Sequence, residues 1–345
     1  MIHSNSEGDI YIEEMPLLLV HLREEEKGAD ARLSEVVSYA LDGYAYETAT
    51  EISAFEDYVN RWRRLEKTQN RKNPVQGRIL FAVPLGTSGI NLELYRLIRF
   101  LREHPDFLNG FVGGLLVDSE NDLYSKSAAK DLVFAANCAG CAFVGRPLVE
   151  GTRTLSNYTI VSNNLGTDLM GAYRESAAGL VKEVLGTDCV RKKCPKVLVL
   201  HASSHKTSNT YAIWNRVKEQ LPEMEIREIG LRNGTLSDCA GCPYKMCLHF
   251  GEQGSCFYGG VMVEDVYPAV READAIVMLC PNYNDALSAN LTAFINRLTS
   301  LFRTTRFYDK ALFAVVVSGY SGSDIVAEQL IAALNMNKTF YLPGH

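Results

Sequence analysis

The sequence lacks the features that take a chain into or across a membrane. No run approaches the ~18–20 uninterrupted apolar residues that a membrane-spanning helix needs. The first ten residues contain no basic segment followed by an apolar core, so we expect no secretory signal. Nine cysteines without such a signal indicate free or metal-bound thiols in a reducing cytoplasm, and their odd number fits a disulfide framework poorly.

The chain also lacks an excess of positive charge. Its net charge of −6 gives no electrostatic reason to expect binding to nucleic acid or to an anionic membrane. The one basic run, within residues 61–72, continues a helical pattern that begins near Ser53, so we interpret it as a solvated helix face. With 47% apolar and 22% charged residues over 345 positions, the composition indicates a globular protein with room for two domains.

The second half alternates short apolar runs with amphipathic segments, which is typical of strands connected by helices. We expect a helix with Leu291, Phe294, Ile295 and Leu298 on its buried stripe and Ser288 as its cap. This alternation predicts an α/β fold, with a flavodoxin-like, doubly wound, parallel five-stranded sheet in a C-terminal domain over residues 191–345. The predicted strands cover residues 196–200, 225–229, 275–280, 311–317 and 339–342.

The first half has a similar texture and predicts a second α/β domain over residues 1–190. Its strand candidates are residues 16–20, 78–83, 111–117 and 141–144. The strand 79–83 and the loop 85–91 have the same strand–loop–helix pattern as the start of the second domain, which suggests a degenerate internal duplication. We interpret Gly86-Thr-Ser-Gly89 as a turn followed by a helix cap rather than as a phosphate site.

Ligands of an open parallel sheet bind outside the carboxyl ends of its strands, so the loops that follow the strands carry the functional expectations. The first such loop in the second half, residues 201–210, is rich in hydroxyl groups and leads into a helix. Backbone N–H groups at a helix N-terminus, with hydroxyl donors around them, favour a phosphate. The loop contains neither Gly-x-Gly-x-x-Gly nor Gly-Lys-Ser/Thr, which argues against a dinucleotide fingerprint or an ATPase loop.

This loop resembles the phosphate loop of the NADPH-dependent FMN reductases and iron–sulfur flavoproteins, in which Gly-Ser-Pro-Arg-x-x-Gly-Asn-Thr is typical. Ser203, Asn209 and Thr210 match that pattern, and the family's arginine is missing here. The resemblance implies that the FMN phosphate is held by Ser203, His205, Ser208, Asn209 and Thr210.

Two further loops resemble the same family. Residues 280–297 resemble its Pro-x-Tyr loop and the helix that follows, and residues 318–323 lie where the family has a glycine-rich loop. The resemblance implies that both loops contact the isoalloxazine ring, through Pro281, Asn282, Tyr283 and Asn284 in the first and Ser318, Gly319 and Gly322 in the second. We expect Phe294, on the apolar stripe, to be a core residue.

Four cysteines are clustered between the second and third predicted strands of the second half. Cys239, Cys242, Cys247 and Cys256 could bind a 4Fe-4S cluster or a zinc ion, or could be free thiols. Iron–sulfur flavoproteins have a compact cysteine motif at this place with tighter spacing, so all three interpretations stay open.

The resemblance implies an FMN-dependent oxidoreductase that passes hydride from NAD(P)H to the flavin and then to an unknown acceptor. The cofactor does the bond chemistry, so we assign no catalytic side chain. Two alternatives stay open: an electron carrier of the flavodoxin or iron–sulfur flavoprotein type, and a non-catalytic binding module with a relict flavin site. The resemblance also implies a homo-oligomer.

Overall fold

The computed structural model describes residues 15–23, 27–68, 76–188, 192–203 and 208–344. The chain divides into two compact units. The first consists of the described parts of Met1–Leu97, Gly110–Ser125 and Val149–Gly186, and the second of the described parts of Ile98–Asn109, Lys126–Leu148 and Thr187–His345. The domain boundary expected near residue 190 stays a prediction.

The first half of the chain contains five strands within the described residues. They are β1 (Leu17–His21), β2 (Tyr46–Ala49), β3 (Gly77–Leu85), β4 (Phe111–Ser119) and β5 (Ala142–Gly151). The helices are α1 (Lys27–Ala40), α2 (Ile52–Thr68), α3 (Leu92–Glu103), α4 (Ser125–Cys138), α5 (Thr159–Leu165) and α6 (Leu169–Gly186), with a 3-10 turn at Ser156–Tyr158.

The second half contains four strands within its described residues. They are β6 (Lys196–His201), β7 (Glu225–Gly230), β8 (Ala275–Pro281) and β9 (Ala311–Val317). The helices are α7 (Asn209–Glu219), α8 (Tyr244–Glu252), α9 (Tyr267–Glu272), α10 (Ala289–Phe302) and α11 (Ser323–Leu330), with π-helical turns at Met262–Val266 and Ile331–Met336.

Both sheets confirm the α/β class. In the described residues the first sheet has the order β2-β1-β3-β4-β5 and the second β7-β6-β8-β9. Strand β6 pairs in parallel with β7 and β8, and β8 pairs in parallel with β9. Apolar clusters lie on both faces of the second sheet, one around Trp214 of α7 and the other around Phe294 of α10. The second sheet is therefore doubly wound, and Phe294 is a core residue as expected.

The fifth strand predicted at 339–342 is reduced to isolated bridges, so the five-stranded expectation needs correction. Tyr341 forms a parallel bridge with Ala311, and Leu342 forms an antiparallel bridge with Phe143. Thr339 has a φ of +66°, which is incompatible with an extended strand. Pro343 follows directly and has no N–H to donate to a ladder. The segment is consequently too short to form a regular edge strand.

The predicted duplication stays a prediction, but the strand order shows which strands of the two sheets correspond. In both sheets the first strand in sequence lies between the second and the third. Strand β3 is the third strand of its sheet, so its counterpart is β8 rather than β6. The match of residues 79–91 to the start of the second domain is therefore wrong, and the counterpart of β6 is β1.

Candidate functional site

The carboxyl ends of three neighbouring strands meet at one edge of the second sheet. His201 at the end of β6 is in register with Leu279 of β8, and Pro281 at the end of β8 is in register with Val317 of β9. The loops after β6, β8 and β9 therefore start side by side. In a doubly wound sheet this edge is the one at which ligands bind.

Asn282 joins the loop after β8 to the loop after β9. Its side-chain Nδ2 donates to Ser318 Oγ at 3.2 Å and to the carbonyl of Ser321 at 3.1 Å. The same nitrogen lies 3.1 Å from Asp285 Oδ1, and the backbone N–H of Asn282 donates to the carbonyl of Val317 at 2.8 Å. Two of the predicted ring contacts, Asn282 and Ser318, are thus brought together in one hydrogen-bonded network.

The two predicted glycines of the loop after β9 differ in their surroundings. Gly322 has a φ of +86°, and a Cβ there would overlap Asp285 Oδ1 and approach Asn282 Nδ2. Glycine at 322 is consequently required for the close approach of the two loops. A Cβ at Gly319 would meet no described heavy atom within 4 Å, so packing does not require glycine there.

The loop after β8 makes a tight turn that leaves Tyr283 exposed. Asn284 and Asp285 both have a φ of +55°, in the left-handed region that these two residue types tolerate best. Tyr283 and Ala286 form an antiparallel bridge across the turn, and Tyr283 is 58% exposed. The aromatic ring is therefore available to a ligand at this edge.

Gln329 of α11 fixes the same turn, a role that the sequence pattern did not predict. Its Nε2 donates to the carbonyl of Asp285 at 3.0 Å, and its Oε1 accepts from the N–H of Leu287 at 3.1 Å. Nothing in the local sequence marks Gln329, because its role depends on how α11 packs beside the loop.

The loop after β6 is described only in part. His205 lies in the segment 204–207, outside the described residues. Ser208 caps α7, because its hydroxyl accepts the N–H of Tyr211 at 3.2 Å. Asn209 is exposed at the start of α7, whereas Thr210 is only 1% exposed. The edge therefore presents Ser203 and Asn209, while the side chain of Thr210 is buried.

Three buried oxygen atoms at this edge have no hydrogen-bond partner within the described residues. They are the Oγ of Ser203, the Oδ1 of Asn282 and the Oγ of Ser288. Ser288 holds the expected N-cap position of α10, yet its side chain makes no capping hydrogen bond. A buried polar atom left without a partner costs about 1–3 kcal/mol, so such atoms are rare in native proteins. The position of these three oxygens on neighbouring loops of one edge fits a polar ligand such as FMN.

Cys280 lies in β8 directly before the predicted ring loop. Burial raises the pKa of its thiol to about 12. The thiol is therefore protonated at neutral pH and adds no charge beneath the site.

The cysteine-rich segment that follows β7 is anchored along α10. Asn290 Nδ2 donates to the carbonyl of Leu231 at 2.7 Å, and the N–H of Leu231 donates to the carbonyl of His201 at 2.7 Å. The segment therefore begins at the same sheet edge as the three loops. Further along α10, three more side chains donate hydrogen bonds to this segment at 2.6–2.9 Å. Asn296 Nδ2 donates to Asp238 Oδ1, Arg297 Nη2 to the carbonyl of Gly259, and Ser300 Oγ to the carbonyl of Ser255.

Two tyrosine hydroxyls lie among the four predicted metal ligands. The pKa of Tyr258 is raised by desolvation and then by its interactions with the thiols of Cys242, Cys239 and Cys256. Burial and then Cys256 raise the pKa of Tyr267, which is also influenced by Cys247. Among the described residues no three His, Cys, Asp or Glu side chains form a group that could hold a metal ion. The metal site therefore stays a prediction.

The corresponding edge of the first unit is filled by the chain's own charged side chains. Glu120 Oε1 accepts the N–H of Ala29 in the first turn of α1 at 3.1 Å. Arg32 makes a bidentate pair with buried Asp118, at 2.6 Å from Nη2 to Oδ1 and 2.9 Å from Nε to Oδ2. A carboxylate thus lies at the N-terminus of the helix that follows the first strand.

The loop Gly86–Gly89 is a turn followed by a helix cap, as expected. Ser88 Oγ accepts the N–H of Ile90 at 3.3 Å, and Asn91 Oδ1 accepts the N–H of Leu94 at 2.9 Å. These contacts use the side chains of Ser88 and Asn91 for the local turn and cap.

The comparison with protein families agrees with the geometry of the second sheet. Residues 195–345 match the family model of the NADPH-dependent FMN reductases. The matched segment covers less than half of the chain and contains the strands and loops of the candidate site. For this segment the FMN reductase family indicates a flavodoxin-like fold and an oxidoreductase that uses FMN and a nicotinamide nucleotide.

Other comparisons add no argument about function. No curated protein matches the chain. One matching solved structure, described as "A unique GCN5-related glucosamine N-acetyltransferase region exist in the fungal multi-domain GH3 beta-N-acetylglucosaminidase", has 9% identity and a TM-score of 0.19. It aligns with 77% of this chain, which spans about a third (34%) of that one. Within the described residues, no helix has the length and apolarity to cross a membrane.

Proposed function

We propose that the second unit binds FMN at the carboxyl edge of its sheet and acts as an NAD(P)H-dependent flavin oxidoreductase. The observation that carries this proposal is a set of three buried oxygens, on Ser203, Asn282 and Ser288, that have no hydrogen-bond partner in the part of the chain that the structure describes. All three lie in the segment that matches the FMN reductase family. A ligand with hydrogen-bonding groups at both ends would satisfy them, and FMN has a phosphate at one end and a polar ring at the other.

Different loops would bind different parts of FMN, and the loop after β6 would bind its phosphate. Ser203 and Asn209, with the backbone N–H groups at the start of α7, would hold the phosphate, and Ser208 would keep that helix start in place. We also propose His205 as a phosphate ligand, because it could replace the positive charge of the family's arginine, which is missing from this loop. Thr210 would contribute through its backbone, since its side chain is buried.

The ring would lie between the other two loops. Pro281, Asn282, Tyr283 and Asn284 would line it on one side, and Ser318 and Gly319 would approach its far edge, with Gly322 holding the loops together. The chemistry that bound FMN would supply is acceptance of a hydride from a reduced nicotinamide and transfer of the electrons to a second acceptor. The residues of the chain would bind and orient the flavin and exclude water from it. No side-chain acid or base is required.

Titration of the purified protein with FMN tests this proposal. We expect quenching of flavin fluorescence with one FMN per chain, and oxidation of NADH or NADPH by the loaded protein. Ser203→Ala should weaken binding about tenfold, which corresponds to one lost hydrogen bond of about 1.4 kcal/mol. Asn164→Ala, at an exposed asparagine of the first unit, is the matched control and should leave binding unchanged. No quenching and no gain in thermal stability with FMN would favour the relict binding module instead.

A second candidate function rests on the cysteine-rich segment. We propose as the alternative an electron carrier in which a 4Fe-4S cluster on Cys239, Cys242, Cys247 and Cys256 lies beside the flavin, because the segment begins next to His201 and runs along α10. Among the described residues these thiols form no group of three that could hold a metal ion, so cluster binding would require them to move together. This function predicts bound iron and sulfide after anaerobic purification, with little oxidation of NAD(P)H. Protein without iron that oxidises NAD(P)H would exclude it.

Two further properties belong to the proposal. All described cysteines are free thiols, which supports the expected reducing cytoplasm. We also propose that the protein is a homo-oligomer, and the surface involved is argued next.

A further inference from the structure

Two neighbouring loops at the carboxyl edge of the first sheet, together with the first turn of α3, expose an unusual number of large apolar side chains. This apolar patch consists of Ile90 (50% exposed), Leu92 (68%), Tyr95 (52%), Leu123 (61%) and Tyr124 (50%). All five residues belong to the first unit. Single exposed apolar side chains are normal, but a contiguous group marks an interaction surface.

The patch is held together by contacts between the two loops. Asn121 Nδ2 donates to the carbonyl of Thr87 at 3.1 Å, and Asn121 Oδ1 accepts the N–H of Leu123 at 3.0 Å. A Cβ at Gly89 would overlap the side chain of Tyr124, so this tyrosine packs directly on the neighbouring loop. The exposed side chains are therefore presented on a fixed surface, which lowers the entropy lost on association.

Tyr124 also has a strained backbone. Its φ of +75° lies in the left-handed region that bulky residues rarely adopt. Strain of this kind persists where the surrounding structure enforces it and is concentrated at functional surfaces. Here it holds an aromatic ring half-exposed instead of allowing it to turn inward.

The size and charge of the patch favour a second copy of the chain as its occupant. Five large side chains exposed by half or more amount to on the order of 500 Å² of apolar surface. With a polar rim this approaches the roughly 800 Å² that each partner of a standard interface contributes. The neighbouring charges carry both signs, as in the ion pair of Glu93 and Arg96 at 2.5 Å, so the surface does not select a strongly charged partner. Mixed charges around an apolar centre can face their own copy across a twofold axis.

We propose that the apolar patch is the contact surface of a homodimer, in which the same patch of a second copy covers it. The interface uses only the first unit and therefore does not depend on flavin binding. A loss of FMN binding would leave this inference intact, and the reverse also holds.

Light scattering after size-exclusion chromatography of the full chain tests the dimer. We expect the wild-type protein to have twice the mass of one chain. Leu92→Glu combined with Leu123→Glu should give the mass of one chain at the same concentration, because two buried carboxylates would face each other across the axis. Ile160→Glu, on exposed α5 at a side chain that is 73% exposed, is the matched control and should stay dimeric.

A second, milder variant distinguishes loss of the dimer from misfolding of the chain. Leu92→Gln should shift the dimer dissociation constant upward by about tenfold or more, with an unchanged circular dichroism spectrum. A monomeric wild-type protein, or a double glutamate variant that is folded and still dimeric, would overturn the proposal.

Discussion

Replacement of Asn282 by alanine tests whether the two loops after β8 and β9 act as one site. The side-chain nitrogen of Asn282 connects Ser318, Ser321 and Asp285 at 3.1–3.2 Å. A hydrogen bond contributes about 0.5–1.5 kcal/mol net. Because this region is partly exposed, we expect Asn282→Ala to lower the free energy of unfolding by about 1–3 kcal/mol.

The same substitution should also weaken FMN binding. Asn282 Oδ1 is buried and has no partner among the residues that the structure describes, and the proposed ligand would supply one. Its loss, together with the release of the loop after β9, should raise the FMN dissociation constant about tenfold to a hundredfold, that is by about 1.4–2.8 kcal/mol. Urea denaturation gives the first quantity and fluorescence quenching of FMN the second.

A double-mutant cycle separates loop coupling from simple loss of contacts. Asn282→Ala and Ser318→Ala should be non-additive in unfolding free energy, by about 0.5 kcal/mol or more, because the two side chains share a hydrogen bond. Asn164→Ala serves as the control for removal of an exposed amide. Additive effects and an unchanged FMN dissociation constant in Asn282→Ala would refute the reasoning that one network builds the site.

Three further substitutions have definite expected outcomes. Gly322→Ala should lower the free energy of unfolding by at least about 1–2 kcal/mol in urea denaturation, because its φ is positive and its Cβ would overlap Asp285. Asp274 has its pKa lowered below the usual 3.8, first by the hydrogen bond from Lys192, so its stabilising effect exists above pH 3.8 and is lost as the pH falls further. Asp274→Asn should therefore cost about 0.5–1 kcal/mol in unfolding experiments at pH 7 and almost nothing near pH 2. Glu120→Gln should weaken the start of α1 by about 0.3–1 kcal/mol in thermal unfolding, and FMN stoichiometry should stay at one per chain.

The parts of the fold that could be predicted from the sequence are those in which local pattern and burial agree. The run Ala275–Cys280 is apolar because both faces of β8 are covered, and it predicts a strand without further information. The stripe of α10 is similarly clear, since Leu291, Phe294 and Leu298 are fully buried. Topology then places the loops at one edge, and the contact between Asn282 and Ser318 agrees with that expectation.

Other parts were not visible because they depend on tertiary structure. Strand β2 is short and mostly exposed, so Tyr46–Ala49 has no apolar pattern to detect. The run 339–342 looks like a strand, but the left-handed conformation of Thr339 limits it to bridges. Gln329 belongs to the site only because α11 packs beside the loop after β8, and helix packing leaves no local signal.

The same strand order gives two sheet edges with opposite properties. In the first unit, Glu120 accepts the N–H of Ala29 at the start of α1 and Arg32 is paired with Asp118, so among the described residues one helix-start N–H and the guanidinium are already used. In the second unit, the N-terminus of α7 is capped by a neutral hydroxyl of Ser208, and buried oxygens on neighbouring loops lack partners within the described residues. A phosphate would have to displace a carboxylate at the first edge but not at the second. The side chains rather than the strand order therefore distinguish the two edges, and this difference is the basis for the proposed stoichiometry of one FMN per chain.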